Sequence, residues 1–278
     1  MDPIVQRYDA MNFTSDLMIT RSGGIAYQKD MTKSVPYDNT YFQRYIDMEN
    51  TPISSRINDC RKKMVKGISG HVLDIGIGSG EFMKTCGKRC YGYDVNEVAV
   101  EWLISQNSFM DPYNGVHGTI DVITLWDVME HMRRPSDLLL SLRFGMHVMV
   151  SLPTFPDLKS VVASKHYRPN EHWYYFTVDG IKKFFFDMGY ECLDVNDSET
   201  VAGRESIMSY HFYRIKEIKI EDVLSPTKLE PIQAKLEPIQ AKPEPIQVSK
   251  LEVTGSTGPK PFSPPKMASS TIIAPPKK

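Results

Sequence analysis

His71-Val72-Leu73-Asp74-Ile75-Gly76-Ile77-Gly78-Ser79-Gly80-Glu81-Phe82 is the stretch whose reading decides the fold. Val72 to Ile75 is a short apolar run broken only by Asp74, the pattern of a buried strand. Gly76, Gly78 and Gly80 follow at alternate positions. That suits a turn whose backbone must approach a ligand closely, where a Cβ would be in the way. Glu81-Phe82-Met83-Lys84 then opens a helix. Strand, glycine turn and helix N-terminus together make a cradle for a nucleotide-type cofactor.

A dinucleotide cradle spaces its glycines G-x-G-x-x-G and lays a pyrophosphate on the helix N-terminus. Here the third glycine comes one residue early, and Asp74 stands two residues before the first. A carboxylate there would repel a pyrophosphate and suits an amino group and a sulfonium. The stretch resembles motif I, D/E-x-G-x-G-x-G, of the class I S-adenosylmethionine-dependent methyltransferases. Asp74, Gly76, Gly78 and Gly80 match it position by position. The resemblance implies S-adenosylmethionine as cofactor, and a cofactor-binding set of Asp74, Ile75, Gly76, Gly78, Gly80, Asp94, Val95 and Trp126.

Outward from the cradle the chain alternates strand and helix. The first crossover helix stops near Gly87, and Arg89–Tyr93 reads as the second strand, ending in Asp94. Asp94 lies 20 residues beyond Asp74, where an acid meets the two ribose hydroxyls of a nucleotide cofactor. A dehydrogenase would carry the same acid. Asn96 caps the next helix. Residues 108–113 are the only candidate for a third strand, with Asp111-Pro112 read as a turn. Ile120–Trp126 is a buried strand, and 147–153 is the fifth. Residues 154–176 read as a long functional lid whose Tyr174, Tyr175 and Phe176 face an acceptor pocket. Thr177 caps a helix closed by Gly189, and two final strands follow. The fold class is α/β: a doubly wound, mostly parallel seven-stranded Rossmann-like sheet. It occupies residues 68–218, after a helical segment at 1–67 and before a tail at 219–278.

Asp127-Val128-Met129-Glu130-His131, directly after the fourth strand, looks like the D-V-x-E-H of the ubiquinone-biosynthesis O-methyltransferase group and its small-molecule relatives. The resemblance implies His131 and Glu130 as catalytic residues and oxygen of a small molecule as the methylated atom. Hydrogen-bonding partners that merely fix the loop are the alternative. Some relatives use E-x-x-E-H as a divalent-metal site, which Asp127, Glu130, His131 and His172 could imitate. Asp127 has a shorter reach than Glu, and no metal is expected. The amine-methylating [D/N]-P-P-[Y/F/W] of DNA enzymes is missing after this strand, as is any Pro-Cys dipeptide for cytosine chemistry.

In the leading segment, Tyr41-Phe42 and Tyr45-Ile46 mark a helix from Asn39. A second begins at Thr51-Pro52, with Ile53, Ile57, Cys60 and Met64 as a one-sided stripe. In the tail, KLEPIQA at 228–234 recurs at 235–241, and KPEPIQV follows at 242–248. The proline in every repeat forbids a continuous helix, so disorder is expected, with a tethering role or an unknown protein partner.

Charge is unevenly spread. Residues 223–278 hold eight Lys and four Glu, a surplus of +4, which leaves 1–222 at −5. An acidic globular part argues against nucleic acid as the substrate. Four scattered cysteines are too few for a disulfide framework, so Cys86 and Cys90 read as reduced thiols. The N-terminus lacks the apolar region of a signal peptide, and no apolar run reaches the ~20 residues of a membrane span. A cytoplasmic enzyme is expected. Two rivals stay open: an NAD(P)-binding oxidoreductase, and a non-catalytic module tethered by the tail.

Overall fold

A computed structural model describes residues 1–87, 89–116, 118–219 and 222; the repeat tail lies outside them. The leading segment is not helical throughout. β1 (Ala10–Asn12), β2 (Leu17–Thr20) and β3 (Ile25–Gln28) form an antiparallel meander before the helices begin. Its hairpin turns at Ser22-Gly23-Gly24, and Leu17 and Ile25 are fully buried on either side. Gly24 takes φ +62°, and a Cβ there would stand 2.5 Å from the Thr177 hydroxyl.

α1 (Asn39–Met48) starts at Asp38, whose carboxylate accepts from the Tyr41 amide at 3.0 Å. α2 (Pro52–Val65) starts at Thr51, with proline in its first turn, where no amide is needed. Then come β4 (His71–Ile75), α3 (Glu81–Thr85), β5 (Cys90–Tyr93) and α4 (Glu97–Ser105). β6 (Ile120–Trp126), α5 (Pro135–Ser141), β7 (His147–Phe155) and β8 (Tyr174–Thr177) follow. The chain closes with α6 (Val178–Phe186), β9 (Tyr190–Asn196), α7 (Ser198–Val201) and β10 (Ile207–Arg214).

β5, β4, β6 and β7 pair in parallel in that order. β10 lies antiparallel on β7, and β9 antiparallel on β10. This is the doubly wound α/β class expected. The strand count differs: ten strands join one sheet among the described residues. The third strand is reduced to a single bridge between Gly92 and Phe109. Asp111 instead caps a short 3-10 turn by accepting from the Tyr113 amide at 2.9 Å, the turn chemistry its proline neighbour favours. The additional strands come from β7, which outruns β10. Residues 147–153 pair with β10, while Thr154 and Phe155 continue in parallel with β8. β8 in turn receives β3 and the meander.

That extension takes the two ends of the expected lid, residues 154–155 and 174–176, into the sheet. Trp173, Tyr174, Tyr175 and Phe176 are core residues, none more than 3% exposed. The Tyr174 hydroxyl donates to the Arg133 carbonyl at 2.8 Å, and Gln28 donates to the Tyr175 hydroxyl at 2.9 Å. Phe and Tyr rings bury 150–250 Å² each, and strand pairing behind the sheet offered these rings more burial than a loop surface would.

One face of the sheet carries α5 and α6, where Phe185 stacks on Phe212 with centroids 3.7 Å apart. The other carries α2 and α3 through Val65, Phe82 and Met149. The Cys86 and Cys90 side chains face each other, with Cα atoms 7.7 Å apart, wider than the roughly 4.4–6.8 Å that a disulfide spans. The chain turns back at Gly87 (φ +72°) between α3 and β5, which returns the second sulfur to the first. No helix among the described residues is long and apolar enough to cross a membrane.

Candidate active site

Asp74 is the last residue but one of β4, at the carboxyl edge of the sheet, where ligands bind in this topology. It is buried, and its Oδ1 accepts the Thr124 hydroxyl from β6 at 2.6 Å. Burial pushes its carboxyl up to about 7, against the pull of that hydrogen bond and of Arg61. The glycine turn follows. Gly76 takes φ +73°, and a Cβ there would stand 2.4 Å from the Val128 side chain. Gly78 takes φ +52° beneath the Tyr45 ring. Both positions need glycine for the backbone conformation as well as for space. Gly80 starts α3 and packs on Trp102.

β5 delivers Asp94 to the same rim. Its carboxylate accepts the Gly78 amide at 3.3 Å and the Asn96 amide at 2.9 Å. Burial raises its pKa, and those amides oppose the rise. The two aspartates predicted from a 20-residue spacing thus flank one turn. Above the turn opens a cavity of about 410 Å³, within the range of small-molecule sites. Ile75, Gly76, Gly78, Asp94, Val95, Trp126 and His131 line it. Gly80 and Glu130 do not. Asp74 lines an adjoining space of about 130 Å³, with Arg61, Trp126 and Asp127.

The leading segment supplies lining that the sequence reading missed. Tyr37, Tyr41 and Tyr45 sit on the cavity at intervals of four residues, one face of a helical turn and its approach. That spacing was the available signal. The Asn96 side chain, besides capping α4, donates to the Tyr37 carbonyl at 2.9 Å. The Tyr37 hydroxyl reaches Nδ1 of His131 at 3.1 Å.

His131 Nδ1 also meets the Glu171 carbonyl at 3.0 Å. A carbonyl can only accept, so Nδ1 carries the proton and Nε2 keeps its lone pair. Burial lowers the His131 pKa, so the ring is neutral at pH 7. His172 packs edge-on at 4.6 Å between centroids and is pushed down to about 2 by burial and by His131. Glu130 is buried, and burial followed by the Asp127 charge raises its pKa well above the usual range. Its Oε2 has no hydrogen-bond partner. Glu130, His131 and His172 bring ligand atoms within 4.8 Å of one another. Two neutral imidazoles and a carboxylate with a spare oxygen are a donor set that a divalent cation fits.

Asp127 is not part of that set. It takes φ +58° and accepts from Arg61 at 2.9 Å and from Arg204 at 2.6 and 2.9 Å. The fully buried Glu199 holds the same two arginines. Burial would raise the Asp127 pKa, but Arg204 and Arg61 outweigh it and hold the carboxyl well below the usual range. The metal set considered from sequence therefore loses its first member to an ion-pair network.

The family model described as "Methyltransferase domain" matches residues 44–195, more than half the chain. The chain belongs to this methyltransferase family. Its cradle is that of the class I enzymes, and S-adenosylmethionine is the cofactor. No curated protein matches the sequence. Among solved structures, the chain is similar to magnesium protoporphyrin IX methyltransferase of Synechocystis PCC 6803, crystallised with S-adenosylhomocysteine. That likeness is 18% identity and a TM-score of 0.47, over 64% of this chain and 96% of that one. It is also similar to the 1,6-didemethyltoxoflavin-N1-methyltransferase of Burkholderia thailandensis, with 13% identity and a TM-score of 0.47 over 74% and 99%.

Proposed function

We propose that this protein transfers the methyl group of S-adenosylmethionine to an oxygen of a small-molecule acceptor, with His131 as the base. The observation that carries the reading is the convergence of Asp94, the Gly76–Gly78 turn and His131 on one cavity. Bound S-adenosylmethionine would supply the methyl group to the acceptor oxygen and end as S-adenosylhomocysteine, while His131 Nε2 would take the acceptor's hydroxyl proton. Asp94 would hold the cofactor's ribose hydroxyls and Asp74 would supply negative charge near its methionine end, with Trp126 lining both spaces. Holding both partners in line can contribute several kcal/mol, about 7–11 in the best cases.

Glu130 acts through its neighbour rather than on the substrate, because its carboxylate lies outside the cavity and against the His131–His172 pair. A divalent cation on Glu130, His131 and His172 is a second reading, favoured by the unpartnered Glu130 oxygen. When bound, such an ion would lower the pKa of an acceptor hydroxyl.

The test is calorimetric titration of the full chain with S-adenosylhomocysteine and with NADH, followed by transfer of a labelled methyl group to a panel of phenols, hydroxy acids and amines. Binding of S-adenosylhomocysteine and labelling of a hydroxyl are expected. Preferential NADH binding would sink the reading in favour of an oxidoreductase. Cofactor binding with labelling of amines alone would sink the oxygen assignment.

A further inference from the structure

At the other edge of the sheet, away from the cradle, His147 opens β7 and His211 lies on β10. The register pairs His147 with Tyr213 and Met149 with His211. The two histidines are therefore diagonal neighbours on adjacent antiparallel strands, and their side chains share a face. His147 Nδ1 stands 2.8 Å from His211 Nε2, with ring centroids 5.0 Å apart. Both rings are half-buried, and the Tyr213 ring lies 4.7 Å from His147 between centroids and holds it in place. Neither histidine lines the methyl-transfer cavity.

Two ring nitrogens this close cannot both carry a proton, so the pair shares one and a lone pair faces it. Burial lowers the His147 pKa, and burial with the neighbouring His147 takes His211 down to about 4. Both rings are therefore in the neutral, metal-binding form at pH 7. The spacing is selective. Two nitrogens each 2.0–2.1 Å from one ion stand about 2.9 Å apart when they subtend a right angle, and about 3.3 Å in a tetrahedral site. The observed 2.8 Å matches adjacent corners of a tetragonal site, the geometry of Cu2+ and Ni2+. Asp194 lies directly opposite His211 in the β9–β10 register and is exposed, which places a carboxylate one strand away. Asp121, on the β6 side, is held by Arg143 and takes no part.

We propose that His147 and His211 form a chelating site for a tetragonal transition-metal dication, Cu2+ or Ni2+, that ties β7 to β10. When the ion binds, the shared proton moves to the far nitrogen of its own ring, so both rings stay neutral and both facing nitrogens offer a lone pair to the ion. The probe is substoichiometric Cu2+ added to the full, metal-stripped chain and read by electron paramagnetic resonance. A tetragonal signal with splitting from two nitrogens is expected, and it should vanish in His147→Asn and in His211→Asn. Ni2+ should raise the melting temperature of the parent chain and bind at least tenfold more weakly to either variant. Circular dichroism of the metal-free variants establishes that they fold. Absence of Cu2+ binding, or a signal and melting shift that survive both substitutions, would place any ion elsewhere and overturn the proposal.

Discussion

The hydroxyl of Tyr37 lies 3.1 Å from Nδ1 of His131, although 94 residues separate them in the chain. Tyr37 is tied through its own carbonyl to Asn96, and Asn96 through its amide to Asp94. A line of hydrogen bonds thus runs from the proposed ribose acid to the proposed base. Replacing Tyr37 with Phe keeps the ring and removes the last link. With the Glu171 carbonyl still in place, the loss is that of one neutral hydrogen bond, about 0.5–1.5 kcal/mol. Turnover is expected to fall about 2- to 13-fold, with S-adenosylhomocysteine affinity unchanged. Steady-state kinetics beside a calorimetric titration checks both halves.

Asp94→Ala would remove the acceptor proposed above for two ribose hydroxyls. The expected loss of cofactor affinity is about 1.5–3 kcal/mol, the scale for hydrogen bonds to a charged group. Calorimetry with S-adenosylhomocysteine measures it. Unchanged affinity in a folded variant would remove Asp94 from the cofactor site.

Asp74 titrates near 7 in the ligand-free protein because it is buried. Its folded pKa lies above the unfolded one, so its contribution to stability falls as pH rises from about 4 to about 7. A cationic cofactor beside it favours the ionised form. Binding of S-adenosylmethionine should therefore release a proton near pH 6–7, and affinity should rise with pH across that range. Titrations in buffers of different ionisation heat measure the release, and Asp74→Asn should abolish it.

Arg61→Ala would leave Glu199 and Asp127 buried with one cation fewer. Breaking a buried pair from one side costs about 3–5 kcal/mol. Urea unfolding of the parent and the variant measures the difference, and a loss under 1 kcal/mol would show that Arg204 alone neutralises both acids.

The cradle was legible because its information is local: strand, three glycines and helix start fall within twelve residues. That Asp94 would reach the same turn was legible because one βα unit fixes its distance from Asp74. The ion-pair role of Asp127 was not legible, because Arg204, which occupies it, lies 77 residues away. The meander was missed because strands of three or four residues are too short to show a period, even with a glycine turn between two of them. The aromatic run at 173–176 reads the same whether it lines a pocket or a core, and only the pairing of β8 with β3 decides between them. The repeat tail and its expected partner lie outside the described residues.

β7 has two sets of neighbours, and its final two residues lead to a strand whose outer flank is covered by β3 alone. A chain trimmed to begin just before β4 would keep Asp74, Gly76, Gly78 and Asp94, the cofactor-holding residues proposed above. It would also strip β8 of that cover and bare the backbone groups beside Tyr174, Tyr175 and Phe176. An unguarded, ring-rich flank of this kind recruits further copies of itself. Shortened versions of this enzyme should therefore come out of solution, for a reason that has nothing to do with methyl transfer.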